Sequence, residues 1–123
     1  MQILRWLMLL AFCTGLPYVA SARDFLPTTK ECHEASEFIE HAAMSRDNGY
    51  SKEKLVGRFD EDIMILSGMD PEKRWFVRSP GAMQFLRRAL VDVFSAKKRP
   101  QDHGSTFLRS CMMHVIAISP EDL

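Results

Sequence analysis

Potential metal chemistry is concentrated in the stretch CHEASEFIEH, residues 32–41, where His33, Glu37 and His41 recur every four residues. On a helix this spacing lines two imidazoles and a carboxylate along one edge, a donor set suited to zinc or copper. The order is not His-Glu-x-x-His, and the edge lies opposite the apolar stripe, so a solvated face with i,i+4 pairs is the simpler expectation. Cys111-Met112-Met113-His114 offers soft ligands for Cu(I). Adjacent helical residues point about 100° apart, however, and cannot converge on one ion. These residues are expected to pack in the core, with His114 as a hydrogen-bonded buried histidine.

Asp60-Glu61-Asp62 would have to face each other across a cleft to act as an acid/base pair, but consecutive helical positions fan outward. Of the three, Asp62 is expected to find an arginine partner. No nucleophile-elbow motif brings a serine and a histidine together. The expectation is a protein without catalytic activity and without a cofactor.

The cysteines carry a structural meaning. Residues 1–22, MQILRWLMLLAFCTGLPYVASA, show one basic residue, an apolar run, a Gly/Pro break and an Ala-Ser-Ala ending, the pattern of a cleaved secretory signal peptide. Residues 23–123 are then one domain, periplasmic or secreted, with no membrane span after cleavage. Loss of residues 1–22 removes Cys13 and leaves Cys32 and Cys111. An even pair in an exported chain of this size reads as a disulfide. Cleavage also removes Arg5, leaving 15 bases against 16 acids, a net charge of −1. That balance argues against nucleic acid as a partner.

The elements that would position these groups are helical. Thr28 and Glu31 form a capping-box pattern opening a helix over 28–47, with Cys32, Ala35, Phe38, Ile39, Ala42 and Ala43 inward. Asn48-Gly49 ends it, and Ser51 caps a second helix over 51–67 with a stripe of Leu55, Val56, Phe59, Ile63 and Leu66. Residues 71–77 suit either a short helix or an extended connector. Ser79-Pro80 opens a helix over 79–98, closed by Pro100, and a last helix covers 102–118 with Phe107, Leu108, Cys111, His114, Val115 and Ile118 inward. No segment alternates with period two. The expected fold is all-α, a compact bundle or orthogonal array of four main helices with one disulfide.

Charge is segregated along this layout. Residues 30–62 hold nine acids and five bases, whereas 71–99 hold eight bases and two acids. The simplest consequence is attraction between the two halves. The connector also combines Arg74, Trp75, Phe76 and Arg78, types enriched at binding hot spots, and with Arg87 these are the expected contact residues for an unidentified protein partner.

Cys32, the turn in AMSRDNGYSKEKL, the helix ALVDVFSAKKRP and the terminal FLRSC together resemble a recurrent layout of small exported bacterial helical proteins. The resemblance implies a periplasmic helical domain with one disulfide and attaches no activity to it. More loosely, the chain looks like the small disulfide-bonded helical immunity proteins that protect bacteria from secreted cell-wall enzymes. The expected function is a protein-binding module, inhibitor- or immunity-like. The alternatives are a metal-handling protein using His33, Glu37 and His41, and an acid-stress chaperone whose histidines and modest core loosen at low pH.

Overall fold

A computed structural model describes residues 25–116. The signal-peptide reading, Cys13 and the expected helix end at Ile118 lie outside the described residues. Four α-helices form the body: α1 (Thr29–Asp47), α2 (Lys52–Ser67), α3 (Pro80–Ser95) and α4 (Pro100–Ile116). No strand occurs among the described residues, so the all-α reading holds.

Local chemistry places the first boundaries. The Thr28 hydroxyl accepts from the Glu31 amide while the Glu31 carboxylate accepts from the Thr28 amide, both at 3.1 Å. Gly49 adopts φ +96°, the left-handed conformation that ends α1 at little cost for a residue without Cβ. Ser51 and Ser79 accept from the amides of Lys54 and Ala82 and so cap α2 and α3.

The later boundaries depart from the sequence reading. α3 ends at Ser95 rather than 98, because Ala96 turns extended (φ −121°, ψ 118°). Pro100 does not merely close α3; it opens α4 two residues earlier than expected, where its fixed φ suits a first helical turn. Residues 71–77 are neither one helix nor an extended connector. They form two 3-10 turns, Pro71–Lys73 and Trp75–Val77, joined by Arg74. Trp75 has φ +56°, unusual for a bulky side chain and costing on the order of 1–3 kcal/mol. The reversal there sends Phe76 and Val77 into the core, each 2% exposed.

α1 and α4 pack antiparallel and very closely. At one end the Cys32 and Cys111 sulfurs lie 2.09 Å apart, with Cα atoms 5.7 Å apart and both side chains fully buried. Farther along, a Cβ on Gly104 would meet the Ser36 carbonyl oxygen and the Glu40 carboxylate at 3.3 Å, a tight contact that would require the neighbours to give by a few tenths of an ångström, so glycine eases this approach. Ala35, Ala42 and Ala43 give α1 a correspondingly flat buried face. α3 closes the core through Ala82, Leu86, Leu90 and Val93. Phe25, Phe76, Phe85, Phe107 and the His114 ring form an aromatic cluster joining the N-terminal segment, the second 3-10 turn, α3 and α4. α2 is peripheral, with only Val56 and Phe59 buried, and it packs chiefly on α3.

The other end of the α1–α4 pair is held by Arg46. Its Nη1 donates to the Val93 carbonyl at 2.6 Å, its Nη2 donates to the Lys98 carbonyl at 2.8 Å, and Asp47 accepts from its Nε and Nη2. A cation thus sits on the carbonyl end of α3, where the helix dipole is negative. His103 is the buried histidine here, in place of the half-buried His114. Its Nε2 lies 2.9 Å from the Ala96 carbonyl and 3.3 Å from Arg46 Nη1. A carbonyl only accepts and a guanidinium only donates, so the shorter contact puts the proton on Nε2.

Two outcomes are expected. The disulfide closes a loop of 80 residues, since the two positions are 79 apart, and in the chain-entropy model that is worth about 4.5 kcal/mol. Reduction of the purified protein should therefore lower its denaturation midpoint sharply, and mass spectrometry under non-reducing conditions should find no free thiol at Cys32 or Cys111. Arg46→Met should cost about 2–4 kcal/mol in denaturant titration, because part-buried carbonyls of α3 and the loop after it lose a charged donor.

Candidate functional site

The five expected contact residues are nearly all engaged within the chain. Arg74 folds back to donate from Nε to the Met69 carbonyl and from Nη2 to the Ser67 carbonyl, capping the end of α2. Trp75 is half-buried, and its indole N–H donates to Glu34 Oε2 at 2.6 Å. Phe76 is a core residue packed against Phe25 and Phe107. Arg78 Nη2 donates to Glu31 Oε1 at 2.8 Å. Arg87 grips Asp60 with two parallel 2.9 Å hydrogen bonds, so the arginine partner foreseen for Asp62 belongs to Asp60. The basic segment and the acidic helices therefore attract one another through specific pairs: Arg78 with α1 and Arg87 with α2.

Two of these contacts move the ionisation of the carboxyl involved. Burial pushes the Glu31 carboxyl up, but the Arg78 guanidinium and the Thr28 amide and hydroxyl together outweigh it and hold the group below its ordinary value of 4.5. Glu31 Oε2 is buried without a hydrogen-bond partner, so the anion depends wholly on the contacts to Oε1. The Arg87 fork likewise holds the more exposed Asp60 below 3.8.

His33, Glu37 and His41 lie exposed along α1, and no group of three His, Cys, Asp or Glu side chains among the described residues is placed to hold a metal ion. Among the described residues no helix is long and apolar enough to cross a membrane.

The feature that demands an explanation lies at the end of α2. Residues 63–66 read Ile-Met-Ile-Leu, four consecutive apolar side chains that surround the helix axis. Ile63 and Leu66 belong to the inward stripe and are half-buried. Met64 and Ile65 point the other way and are 77% and 71% exposed, and Met69 beyond the helix is 41% exposed. The aromatic and cationic content of 74–78 points instead to the neighbouring segment. The available signal was the pair of large apolar residues off the 3.6-residue stripe, which folding does not require. α2 is also flanked by two grooves. One, about 610 Å³ against α3, is lined by Phe59, Ile63, Met83 and Val91 with Arg87 and Arg88 at its side. The other, about 230 Å³ against α1, includes Phe38, an expected core residue that is 37% exposed, because α2 does not close over it.

No protein-family model, curated protein or solved structure matches this chain.

The Glu31 contacts set a pH dependence. Its folded-state pKa is depressed, so its stabilisation is complete above the ordinary value of 4.5 and is lost as pH falls through the lower folded-state value. Denaturant midpoints should fall as pH drops from about 5 towards 3. Glu31→Gln should be less stable at neutral pH and show a shallower decline over that window; an unchanged slope would remove Glu31 from the account.

Proposed function

We propose that this chain is an exported, disulfide-braced protein-binding module of the inhibitor- or immunity-like kind, without catalytic activity, whose docking surface is the C-terminal half of α2. Export rests on the signal-peptide pattern in residues 1–22 and is compatible with a buried cysteine pair at disulfide distance.

The single observation that carries the docking surface is the exposure of Met64 and Ile65 on the outward side of a helix whose residues 63–66 are apolar all round. A helix with that pattern belongs in a covered environment. Met69 extends the apolar surface, and Arg74 fixes its edge by binding the Met69 carbonyl. A contiguous exposed apolar surface ringed by polar groups is the ordinary mark of a protein contact. In this reading Arg74, Trp75, Arg78 and Arg87 act mainly by holding α2 and the following turns in place, while Phe76 supports them from the core.

The test compares the wild type with Met64→Ser/Ile65→Ser, a double variant expected to keep its melting temperature because both side chains lie mostly in solvent. A photo-crosslinker at Glu61, one turn before the patch, should trap a discrete envelope protein with the wild type and lose it with the double variant. The same crosslinker at Lys52, at the far end of α2, should trap nothing. Equal crosslinking from both positions, or persistence of the product with the double variant, would refute the surface.

A further inference from the structure

Resting on that reading, we infer that the partner element docking on α2 is an amphipathic helix that combines an apolar stripe with lysine or arginine flanks.

Charge around the patch supplies the first argument. Glu61 stands one turn before Met64 and Ile65 on the same outward side of α2, Asp62 follows it on the helix, and Asp70 and Glu72 are exposed in the turn after α2. From residue 61 to 72 the chain holds these four acids and no base. The cations of α2, Lys52, Lys54 and Arg58, all lie in its first two turns, so the helix is basic where it starts and acidic where it is apolar. Nearby cations cancel the rim only in part: Arg58 lies one turn before Asp62 beside the same groove but forms no ion pair among the described residues. Arg87 is spent on Asp60, Arg74 is turned onto backbone carbonyls, and Lys73 meets Asp70 only at 4.0 Å with both side chains largely in water. Cationic flanks on a partner would find these acids incompletely neutralised and be steered by them.

The apolar chemistry supplies the second. Two of the three most exposed side chains in the patch are methionines, unbranched and polarisable, which adapt to irregular apolar partners. Strand addition has no edge to use among the described residues, while the exposed apolar turn of α2 and the grooves on its two sides suit an apolar helix face laid against it. A second copy would bring the same acidic rim and no cationic flank, so symmetric pairing through this face gains no charge complementarity.

The experiment uses the full oxidised chain and two synthetic peptides of about 18 residues, long enough to form helix on contact. One places leucines along one face and lysines on the other; its twin replaces every lysine with glutamate. The leucine/lysine peptide should bind in isothermal titration calorimetry at least about tenfold tighter than the leucine/glutamate twin, and should weaken as salt is raised. Met64→Ser/Ile65→Ser and, separately, Glu61→Lys/Asp62→Lys should each weaken it by about tenfold or more, with melting temperatures close to wild type. Failure of the leucine/lysine peptide to bind, equal binding of the two peptides, or indifference to the charge reversal would overturn the basic-helix partner. The crosslinking comparison at Glu61 and Lys52 decides the docking surface independently, so a partner of other chemistry remains distinguishable from no docking surface at all.

Discussion

The close antiparallel approach of α1 and α4 is the constraint on which the other elements depend. It is secured at one end by the buried Cys32–Cys111 pair and eased in the middle by the absence of a side chain at Gly104. At the other end the Arg46 guanidinium and His103 imidazole converge on the backbone where α3 stops. A covalent tie and a charged hydrogen-bond cluster do different work. The first limits the unfolded chain, while the second satisfies carbonyls that α3 cannot bond internally. In a domain this small neither is redundant, because the net stability left after chain entropy is of the same order as either contribution.

With α1 and α4 fixed, α3 and the 3-10 turns have one way to complete the core. The left-handed backbone at Trp75 turns the chain so that Phe76 and Val77 bury, and the indole N–H bond to Glu34 helps compensate for the conformational cost. Arg78 and Arg87 then tie the same stretch to α1 and α2. α2 receives much less: two buried side chains, one exposed bidentate pair and grooves on both sides. The molecule is thus divided into a braced three-helix body and a peripheral helix whose outer surface is free of structural duties.

Much of this architecture was legible in the chain because its signals are local. Thr28 with Glu31, Asn48-Gly49, Ser51 and Ser79-Pro80 each act within one helical turn, and each marks the boundary it was expected to mark. The cysteine pairing follows from the two cysteines left once residues 1–22 are read as a signal peptide. Pro100 misled because a proline both ends one helix and suits the first turn of the next, and only packing decides between them. Arg46 was invisible for a different reason: its acceptors are backbone carbonyls 47 and 52 residues away, and a carbonyl has no sequence signature. The arginines and aromatics at 74–78 were read by type as contact residues, whereas the fold uses Arg74 as a cap, Arg78 as an ion-pair partner and Phe76 as core.

Folding leaves one feature of α2 unexplained. An inward stripe on α2 requires apolar residues at Val56, Phe59, Ile63 and Leu66, and nothing in the packing requires one at 64 or 65. At positions so exposed, burial contributes little to stability, methionine has no helix-forming advantage over lysine or glutamate, and isoleucine is poorer than either. Polar residues there would keep the fold and remove an aggregation hazard. Glu61 and Asp62 give the exposed patch an acidic border, which favours contact with an element of opposite charge. An apolar patch that folding does not need, bordered by Glu61 and Asp62, which no ion pair among the described residues occupies, is the observation on which the proposed docking surface rests.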